Sequence, residues 1–373
     1  MSSLAERRAD IDAKQAALVP VLAALGVESL LLLMPAHVAW FTSGMNVHGL
    51  IPDSERPAIY TNGHHRWLVC SNVDTQRLFD EELDRLGFQV KEWHWESGRS
   101  DFLAYLTAGE KVATDRPFPQ IPLANEALRP LLRALSSFEQ SQYCELGKLV
   151  ATAVEATALH CAQGQTEREI AGQIGHRLLH HGIEPMFVSV TADGRGAKYR
   201  RTGAGLTPVT RTAVLQATGA RDGLFATCSR TVSFGSLPIE FSISHDLAVK
   251  QSALFRSWSQ PKTTIGAIGV AGRAVLTQSP FESDSWLSPP GYGAGRFPVE
   301  FLGRPGQEEP LAANLAVVWQ SRVGPAAVVD TLLVTDSEPI AITPPTEWPV
   351  KRLVVRGGPP RDIADILVRD QGI

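Results

Sequence analysis

The stretch TAVLQATGARDGLFATCSRTVSFG, residues 212–235, decides the fold of this chain. Two runs rich in strand-forming residues flank the dipeptide Asp222–Gly223. Because an Asp-Gly pair readily adopts the positive φ angles of a tight two-residue turn, the stretch predicts a β-hairpin.

The composition is that of a globular chain with more than one core. A length of 373 residues is too great for one ordinary hydrophobic core and predicts two domains. The contents of 44% hydrophobic and 20% charged residues argue against disorder. The formal net charge of −4, with Lys and Arg scattered along the chain, predicts no nucleic-acid partner.

The cysteines and the apolar runs bear on location. The four cysteines lie far apart without a C-x-x-C pair, which is typical of reduced thiols in a cytosolic protein. The charged start lacks the apolar centre of a signal peptide, and no apolar run reaches the roughly 18 residues of a membrane span. We therefore expect a cytoplasmic protein without a membrane partner.

Helix-like and strand-like segments alternate in the first part of the chain. Apolar residues at helical spacing predict a helix over 4–26 that ends at Gly26, and the run SLLLLM, residues 29–34, predicts a buried strand. Two more strands, 56–60 and 66–71, flank the turn-forming Asn62–Gly63. The alternation predicts an α/β domain with a largely parallel or mixed sheet.

Two helices and a strand precede the hairpin. The pattern over residues 143–163 predicts a long amphipathic helix. Thr166 with Glu169 three residues later predicts a capping box that opens a second helix, which runs to His181. The run FVSVT, residues 187–191, predicts a strand.

These landmarks resemble the pita-bread family, which includes creatinase, prolidase, aminopeptidase P and methionine aminopeptidase. Its hairpin reads roughly D-x-G-A…D-G…D-x-T-R-T, and Gly219–Ala220, Asp222–Gly223 and Arg230–Thr231 match it. The run GQTEREI, residues 164–170, is similar to the family's G-x-T-E-x-E-I/V. HVAWFTSG, residues 37–44, looks like the N-x-x-Y-L-T-G-F stretch of its amino-terminal domain, with His37 in the place of Asn.

The resemblance implies an α+β two-domain fold. A creatinase-like amino-terminal α/β domain would occupy residues 1–136. A pita-bread domain with a curved antiparallel sheet would follow over residues 137–373. Relatives of this architecture are homodimers as a rule, so by analogy we expect a homodimer here.

Neutral residues stand at all five positions where relatives carry metal ligands. These positions are Ala217, Thr227, Tyr292, Gln320 and Val329. The hairpin turn is one residue shorter than usual, so Ala226 or Cys228 could take the place of Thr227, and neither restores a carboxylate. Since two divalent cations need mainly carboxylate ligands, we expect no metal site and no cofactor.

Three side chains are candidates for catalysis: Glu300, Tyr292 and Tyr199. Glu300 survives from the family phrase H-G-x-G-x-x-x-H-E, and burial can raise the pKa of a carboxyl group toward neutrality. The alternative is a structural carboxylate paired with an arginine. Lys198 or Tyr199 falls nearest to a loop histidine of relatives, although neither does the same chemistry at neutral pH.

Five side chains are candidates for substrate binding. In creatinase-like relatives an arginine near the position of Arg56 reaches the partner subunit's pocket and binds a carboxylate; the alternative is an arginine that caps a strand edge. Lys198 and Arg201 belong to a basic loop that either holds an anion or is simply solvated. Gln320 and Thr227 would line the pocket beside Tyr292.

Three functions stay open at this point. The first is a divergent Xaa-Pro peptidase-like or creatinase-like protein without a dinuclear metal site, which is a pseudoenzyme or binds a small molecule or short peptide. The second is a metal-independent hydrolase of a small C–N substrate, as creatinase is. The third is an ordinary metallo-aminopeptidase or dipeptidase whose ligands lie elsewhere.

Overall fold

A computed structural model describes residues 3–355 and 357–369 of the chain. The chain divides into two compact units, Met1–Glu139 and Gln140–Ile373. The division falls inside the helix Ser137–His160. The assignment of residues 1–136 to a creatinase-like domain and of 137–373 to a pita-bread domain stays a prediction.

The first unit is built around a mixed sheet. Its helices are α1 (Leu4–Leu25), α2 (Pro35–Phe41), α3 (Thr75–Arg77), α4 (Arg99–Thr107) and α5 (Asn125–Arg133), and its strands are β1 (Ser29–Leu32), β2 (Ala58–Thr61), β3 (Arg66–Ser71), β4 (Gln89–Trp93) and β5 (Val112–Thr114). The strand order is β4-β3-β2-β1-β5. β1 and β5 pair in parallel, as do β3 and β4, whereas β2 is antiparallel to both of its neighbours. The predicted mixed sheet is confirmed.

Helix α1 begins and ends where local sequence signals place it. The Ser3 hydroxyl accepts the Glu6 amide at 3.2 Å, and the Glu6 carboxylate accepts the Ser3 amide at 2.7 Å, which satisfies two free donors of the first turn. Gly26 ends the helix at φ 66°, a left-handed conformation that favours glycine. Ile11 and Leu18 face the core with no exposed surface.

The second unit contains two larger sheets and a ribbon. Its helices are α6 (Ser137–His160), α7 (Glu167–His180), α8 (Arg195–Lys198), α9 (Ile239–Trp258) and α10 (Ile265–Ala274). Its strands are β6 (Glu184–Ala192), β7 (Thr212–Arg221), β8 (Leu224–Phe234), β9 (Gly291–Ala294), β10 (Phe301–Leu302), β11 (Ala316–Val323), β12 (Ala326–Leu333), β13 (Ile340–Ala341), β14 (Val350–Val354), β15 (Pro360–Ala364) and β16 (Ile366–Arg369). The sheet orders are β16-β8-β7-β6 and β10-β9-β11-β12-β13, and β14 pairs with β15. The pairings are antiparallel except that of β16 with β8.

The elements around the hairpin follow the sequence. The Thr166 amide donates to Glu169 Oε2 at 2.7 Å, and the Glu169 amide donates to Thr166 Oγ1 at 3.3 Å, so the predicted capping box opens α7. β7 and β8 form the predicted hairpin, with Asp222 at φ 54° and Gly223 at φ 72° in its turn. These positive angles are those that a two-residue turn requires.

The register of the hairpin places Ala217 and Thr227 on opposite faces, although the resemblance assigned both to the metal-ligand positions. Thr218 pairs with Thr227, and opposite residues of an antiparallel pair point to the same face. Gly219 points to the other face, where an added Cβ would lie 2.6 Å from Ile183 and 2.7 Å from Val150 of α6. Because side chains alternate along a strand, Ala217 shares that helix-packed face and Thr218, not Ala217, stands beside Thr227.

Hydroxyl groups join the two sheets along β8 and β12. The Thr227 amide donates to Thr331 Oγ1 at 2.8 Å, and the Thr331 hydroxyl donates to the Thr227 carbonyl at 2.7 Å. The Val329 amide donates to Ser229 Oγ at 2.9 Å, and the Ser229 hydroxyl donates to the Ala327 carbonyl at 3.1 Å. We call these bonds the hydroxyl seam.

Candidate functional site

An open cleft of about 700 Å³ lies in the second unit and is lined from both of its larger sheets. Its apolar lining consists of Met186, Phe187, Pro289, Pro298, Val299 and Leu302. Its polar lining includes Gln216, Thr218, Tyr292 and Gln320, together with the arginines Arg200, Arg201 and Arg322. Of the described residues that line it, none is an aspartate, glutamate, histidine, cysteine or lysine.

Tyr292 belongs to a chain of hydroxyl groups on the floor of the cleft. Its phenol hydrogen-bonds to Thr227, whose Oγ1 lies 2.9 Å from Oγ1 of Thr218. Burial raises the pKa of Tyr292, and the opposing effects of Thr227 and the nearby Arg322 do not cancel it. The phenol therefore stays protonated at neutral pH and acts as a hydrogen-bond donor rather than a base.

Gln320 and Arg322 are alternate residues of β11, so they point to the same face of the sheet. The side-chain amide of Gln320 donates through Nε2 to the Pro289 carbonyl at 3.2 Å. Arg322 donates through Nη2 to Oε1 of Gln216, a neutral acceptor. Within residues 3–355 and 357–369, no carboxylate forms an ion pair with Arg322.

Burial lowers the pKa of Arg322, and the positive charge of Arg200 lowers it further, whereas Tyr292 acts in the opposite direction. The guanidinium stays charged at neutral pH because the reference pKa of arginine is far above 7. The cleft therefore contains a largely buried cation whose only hydrogen bond within the described part of the chain goes to a neutral amide.

Arg200 differs from Arg322 in being neutralised. Its Nη2 lies 2.8 Å from Oδ1 of Asp284, and its Nη1 donates to the Gly324 carbonyl at 3.1 Å. Arg201 is exposed and lines the cleft, and its role in binding stays a prediction. Of the three arginines, Arg322 carries the buried charge without a carboxylate beside it.

The predicted site residues fall into separate groups. Tyr292, Gln320 and Arg201 line the cleft, and Thr227, which is 1% exposed, contacts it through Tyr292 and Thr218. Lys198 ends the short helix α8 and is exposed. Tyr199 is 54% exposed, with the Arg195 guanidinium 5.5 Å from its ring centre. Neither Lys198 nor Tyr199 is among the lining residues.

Glu300 caps a turn beside the cleft. Its Oε1 accepts the Arg296 amide at 3.1 Å, and its own amide donates to the Gly293 carbonyl at 2.8 Å. Its charge helps to raise the pKa of Tyr143, after the larger effect of burial. Pro298, Val299 and Leu302 line the cleft around it, but Glu300 is not among the lining residues. This geometry favours the structural interpretation of Glu300.

Arg56 lies in the first unit. Its Nε is 3.8 Å from Oδ1 of Asp53, and its carbonyl accepts Nη1 of Arg99 at 2.8 Å. The Arg56 side chain is 36% exposed. Its predicted role in a partner subunit's pocket stays a prediction.

The side chains at the family's metal positions do not fit a pair of divalent cations. On the cleft face stand Thr218, Thr227, Tyr292 and Gln320, while Val329, opposite Gln320, carries no donor atom. In the described part of the chain, no group of three or more His, Cys, Asp or Glu side chains lies close enough to hold a metal ion. Arg322 adds a positive charge that would repel one.

Sequence reasoning missed Gln216, Thr218 and Arg322. Arg322 follows Gln320 by two residues, so strand alternation alone would have placed it on the same face. Gln216 and Thr218 required the hairpin register, because the shortened turn leaves the facing residue of β7 ambiguous.

The chain was compared with known proteins. No family model and no curated protein sequence matches it. Among solved structures, dipeptidase PepE from Mycobacterium ulcerans is similar, with a TM-score of 0.74 and 17% identity, covering 97% of this chain and 99% of that one.

Two further structures are similar. The prolidase from Pyrococcus horikoshii OT3 gives a TM-score of 0.73 at 15% identity, covering 89% of this chain and 98% of that one. The N-terminal domain of the FACT complex subunit SPT16 from Cicer arietinum gives 0.67 at 10% identity, covering 91% and 97%. Identity this low establishes the fold alone. The chain therefore has the two-domain pita-bread fold, as the resemblance implied.

Proposed function

We propose that this protein uses the pita-bread fold without a dinuclear metal site and binds a small molecule or short peptide in the cleft of its second unit. The observation that carries the proposal is the set of side chains at the cleft floor. Hydroxyl, phenol and amide groups face the cleft where relatives carry metal ligands, and Arg322 stands among them. Such a set offers hydrogen bonds and a positive charge to a ligand, but no anionic cage for cations.

The absence of a base from the cleft lining supports binding over catalysis. General base catalysis near neutral pH uses a carboxylate, an imidazole or a deprotonated amine within hydrogen-bond reach of the substrate. The described lining residues include none of these, and the raised pKa keeps Tyr292 protonated. The name of the chickpea neighbour refers to a complex rather than to a reaction, which fits a fold that is not tied to one activity.

Metal analysis tests the proposal. The purified full chain is incubated with manganese, cobalt or zinc, freed of unbound ions and measured by mass spectrometry beside a metal-dependent pita-bread peptidase. We expect well below one ion per chain and no cleavage of Xaa-Pro dipeptides. About two ions per chain, as a dinuclear hydrolase needs, would overturn the proposal and favour an ordinary metallopeptidase.

A metal-independent hydrolase of a small C–N substrate is the second candidate. It would depend on Glu300, the carboxylate beside the cleft-lining segment around Pro298 and Val299. A turnover screen with amidino and N-methyl amino acids, run on the wild type and Glu300→Gln, separates the candidates. Turnover that disappears in Glu300→Gln would support the hydrolase, and its absence in the wild type supports binding alone.

The homodimer and the cytoplasmic location stay predictions. In the part of the chain that the structure describes, no helix is both long and apolar enough to cross a membrane.

A further inference from the structure

The first unit carries a pocket of about 380 Å³ whose lining is almost wholly polar. We call it the polar pocket. It lies where α1, the turn between β2 and β3, and the chain segment that leads into β4 come together. Among the described residues that line it, Ala16 carries the only apolar side chain. This lining suits a charged or strongly polar ligand.

Arg66 of β3 supplies a buried positive charge to the polar pocket, since it lines the pocket and is 5% exposed. Its Nη1 lies 2.7 Å from Oδ1 of Asp12 and donates to Oε1 of Gln15 at 2.8 Å. Its Nη2 donates to the Leu86 carbonyl. Its Nε is buried and has no hydrogen-bond partner in the described part of the chain. The guanidinium is therefore held in one position, and its charge acts on whatever enters the pocket.

A second guanidinium, that of Arg8, approaches Arg66 at Gly87. The φ angle of Gly87 is 79°, and an added Cβ would lie 2.7 Å from Nη2 of Arg66 and 3.5 Å from Nη2 of Arg8. Arg8 also donates through Nη1 to the Arg85 carbonyl at 3.0 Å, which keeps its guanidinium at the pocket. Because glycine has no Cβ, the pocket stays open where the two charges come together.

The polar pocket has more positive than negative charge. Asp12 is the one carboxylate among its described lining residues. Its Oδ1 lies 2.7 Å from Nη1 of Arg66, and its Oδ2 lies 3.9 Å from Nε of Arg8. One carboxylate between two guanidinium groups leaves one positive charge unbalanced, and the two cations repel each other. A bound anion would balance that charge.

Further hydrogen-bond donors line the pocket from other directions. The imidazoles of His64 and His65 line it from the turn between β2 and β3, and both histidines are exposed. The side chains of Gln15 and Gln89 line it from α1 and from the start of β4. Donors that approach from several sides match a tetrahedral anion with three terminal oxygens better than a planar carboxylate, whose two oxygens one guanidinium can bind.

We propose that the polar pocket binds a phosphate group, with the phosphate oxygens at Arg8, His64 and His65 and with the buried charge of Arg66 beside them. This site belongs to the first unit and does not depend on the function proposed for the cleft. Inorganic phosphate and the phosphate monoester of a small polar molecule offer the same chemistry. The lack of an apolar wall excludes a large apolar body.

Chemical modification of histidines tests where phosphate binds. The full chain is treated with diethyl pyrocarbonate in a zwitterionic buffer, with and without inorganic phosphate, and each histidine is followed by mass spectrometry. We expect phosphate to slow the modification of His64 and His65 several-fold. His176 and His180, on the exposed surface of α7, are the controls and should react at an unchanged rate. Equal protection of all four histidines, or of none at millimolar phosphate, would overturn the proposal.

Calorimetric titration with inorganic phosphate tests the role of Arg8. We expect Arg8→Met to weaken binding at least about tenfold, the effect of one charge-assisted contact, and Arg8→Lys to restore part of the affinity. The control Arg168→Met removes the same charge from the exposed surface of α7 and should bind phosphate as the wild type does.

The Arg8 side chain is 53% exposed, so Arg8→Met should fold, and circular dichroism establishes this before titration. A wild type that does not bind phosphate at millimolar concentration contradicts the proposal. So does a folded Arg8→Met that binds as tightly as the wild type, or an Arg168→Met that loses as much affinity as Arg8→Met.

Two further probes identify the ligand class. Acetate carries a planar anion, and acetate binding as tight as that of phosphate would overturn the assignment to a tetrahedral anion. Glycerol 3-phosphate is a monoester with a small polar body. Tighter binding of glycerol 3-phosphate than of inorganic phosphate assigns the pocket to monoesters, and the reverse order assigns it to free phosphate.

Discussion

Two arginines of the second unit show opposite ways of holding a buried positive charge. Arg230 of β8 is 1% exposed; its Nε lies 2.7 Å from Oε1 of Glu155 and its Nη1 lies 3.2 Å from Oδ1 of Asp330. Its Nη1 also donates to the Ser229 carbonyl, and its Nη2 donates to the Thr343 carbonyl. Arg322 of β11 donates to an amide oxygen instead.

This difference in hydrogen-bond partners indicates that Arg230 contributes to the stability of the fold and Arg322 to ligand binding. A guanidinium surrounded by carboxylates and carbonyls has most of its donors used within the fold, so its replacement is expected to lower the stability of the folded state. A guanidinium that lines a cleft and lacks a carboxylate partner has donors left for a ligand, so its replacement is expected to lower ligand affinity. Arg230 matches the arginine of the family's T-R-T phrase, whereas Arg322 follows Gln320 by two residues and matches no arginine of the family's phrases.

The largest expected effect is that of Arg230→Met. The change leaves Glu155 and Asp330 buried without their cation, so we expect a loss of about 3–5 kcal/mol in the free energy of unfolding, measured by urea denaturation. Arg322→Met orphans no carboxylate among the described residues, and we expect a change below about 1 kcal/mol.

Equal losses of unfolding free energy in Arg230→Met and Arg322→Met would contradict the distinction between the two arginines. Because Arg230→Met can prevent folding altogether, Glu155→Gln serves as a milder second variant. It removes one charge from the group and weakens the contact with the Thr346 amide, whose nitrogen lies 3.2 Å from Glu155 Oε2. It should lower the free energy of unfolding by more than Arg322→Met does.

A smaller effect is expected at the loop that carries Arg200 and Arg201. The Glu167 side chain has no exposed surface; it accepts the amides of Ala192 at 2.9 Å and Gly205 at 2.7 Å and pairs with Arg195 at 2.8 Å. Glu167→Gln keeps one acceptor oxygen but removes the charge, so we expect a loss of about 2 kcal/mol, since Arg195 is partly solvated.

Urea denaturation beside the exposed control Glu184→Gln checks this value, and the control should change by less than about 0.5 kcal/mol. A loss as large as that of Arg230→Met would show that the cleft loop is as deeply integrated in the fold as the Arg230 group. The contrast between the two regions would then be weaker than proposed.

The smallest effect concerns Asp193 and depends on pH. Burial raises the pKa of this carboxyl, but hydrogen bonds from Thr210, Thr212 and Arg211 outweigh burial and hold the pKa below its reference value of 3.8. A lowered folded-state pKa stabilises the fold above the unfolded-state pKa, and this contribution is lost as the pH falls through the folded-state value.

Asp193→Asn should therefore destabilise the chain by about 1 kcal/mol or less at pH 7, because solvent screens this exposed group, and by less at pH 3. Asn tolerates the positive φ of 47° at this position, so the backbone is not strained by the change. Asp336→Asn, on the exposed surface, is the control. A difference that stays constant or grows toward pH 3 would contradict the assignment.

The local signals of the sequence predicted the fold well. The capping box at Thr166, the turn at Asp222–Gly223 and the glycine at the end of α1 act within a few residues, so their outcome is readable from the chain. The buried run SLLLLM became β1 over Ser29–Leu32 for the same reason. Family landmarks then ordered these elements.

The site was less predictable because it depends on register and on distant partners. Ala217 was expected at a ligand position, yet alternation along β7 turns it toward α6. Glu300 was expected either as an acid or base or as a structural carboxylate, and its hydrogen bond from the Arg296 amide depends on how that turn closes. Tyr199 follows a short helix in a loop whose path no periodic pattern determines.

The hydroxyl seam between β8 and β12 has a practical consequence. Ser229 and Thr331 contribute uncharged bonds to the joint, beside the ion pair of Arg230 with Asp330, and the strength of these uncharged bonds depends little on screening by salt. With the proposed metal-free cleft, we expect the second unit to fold in a chelating buffer as readily as in a metal-rich one.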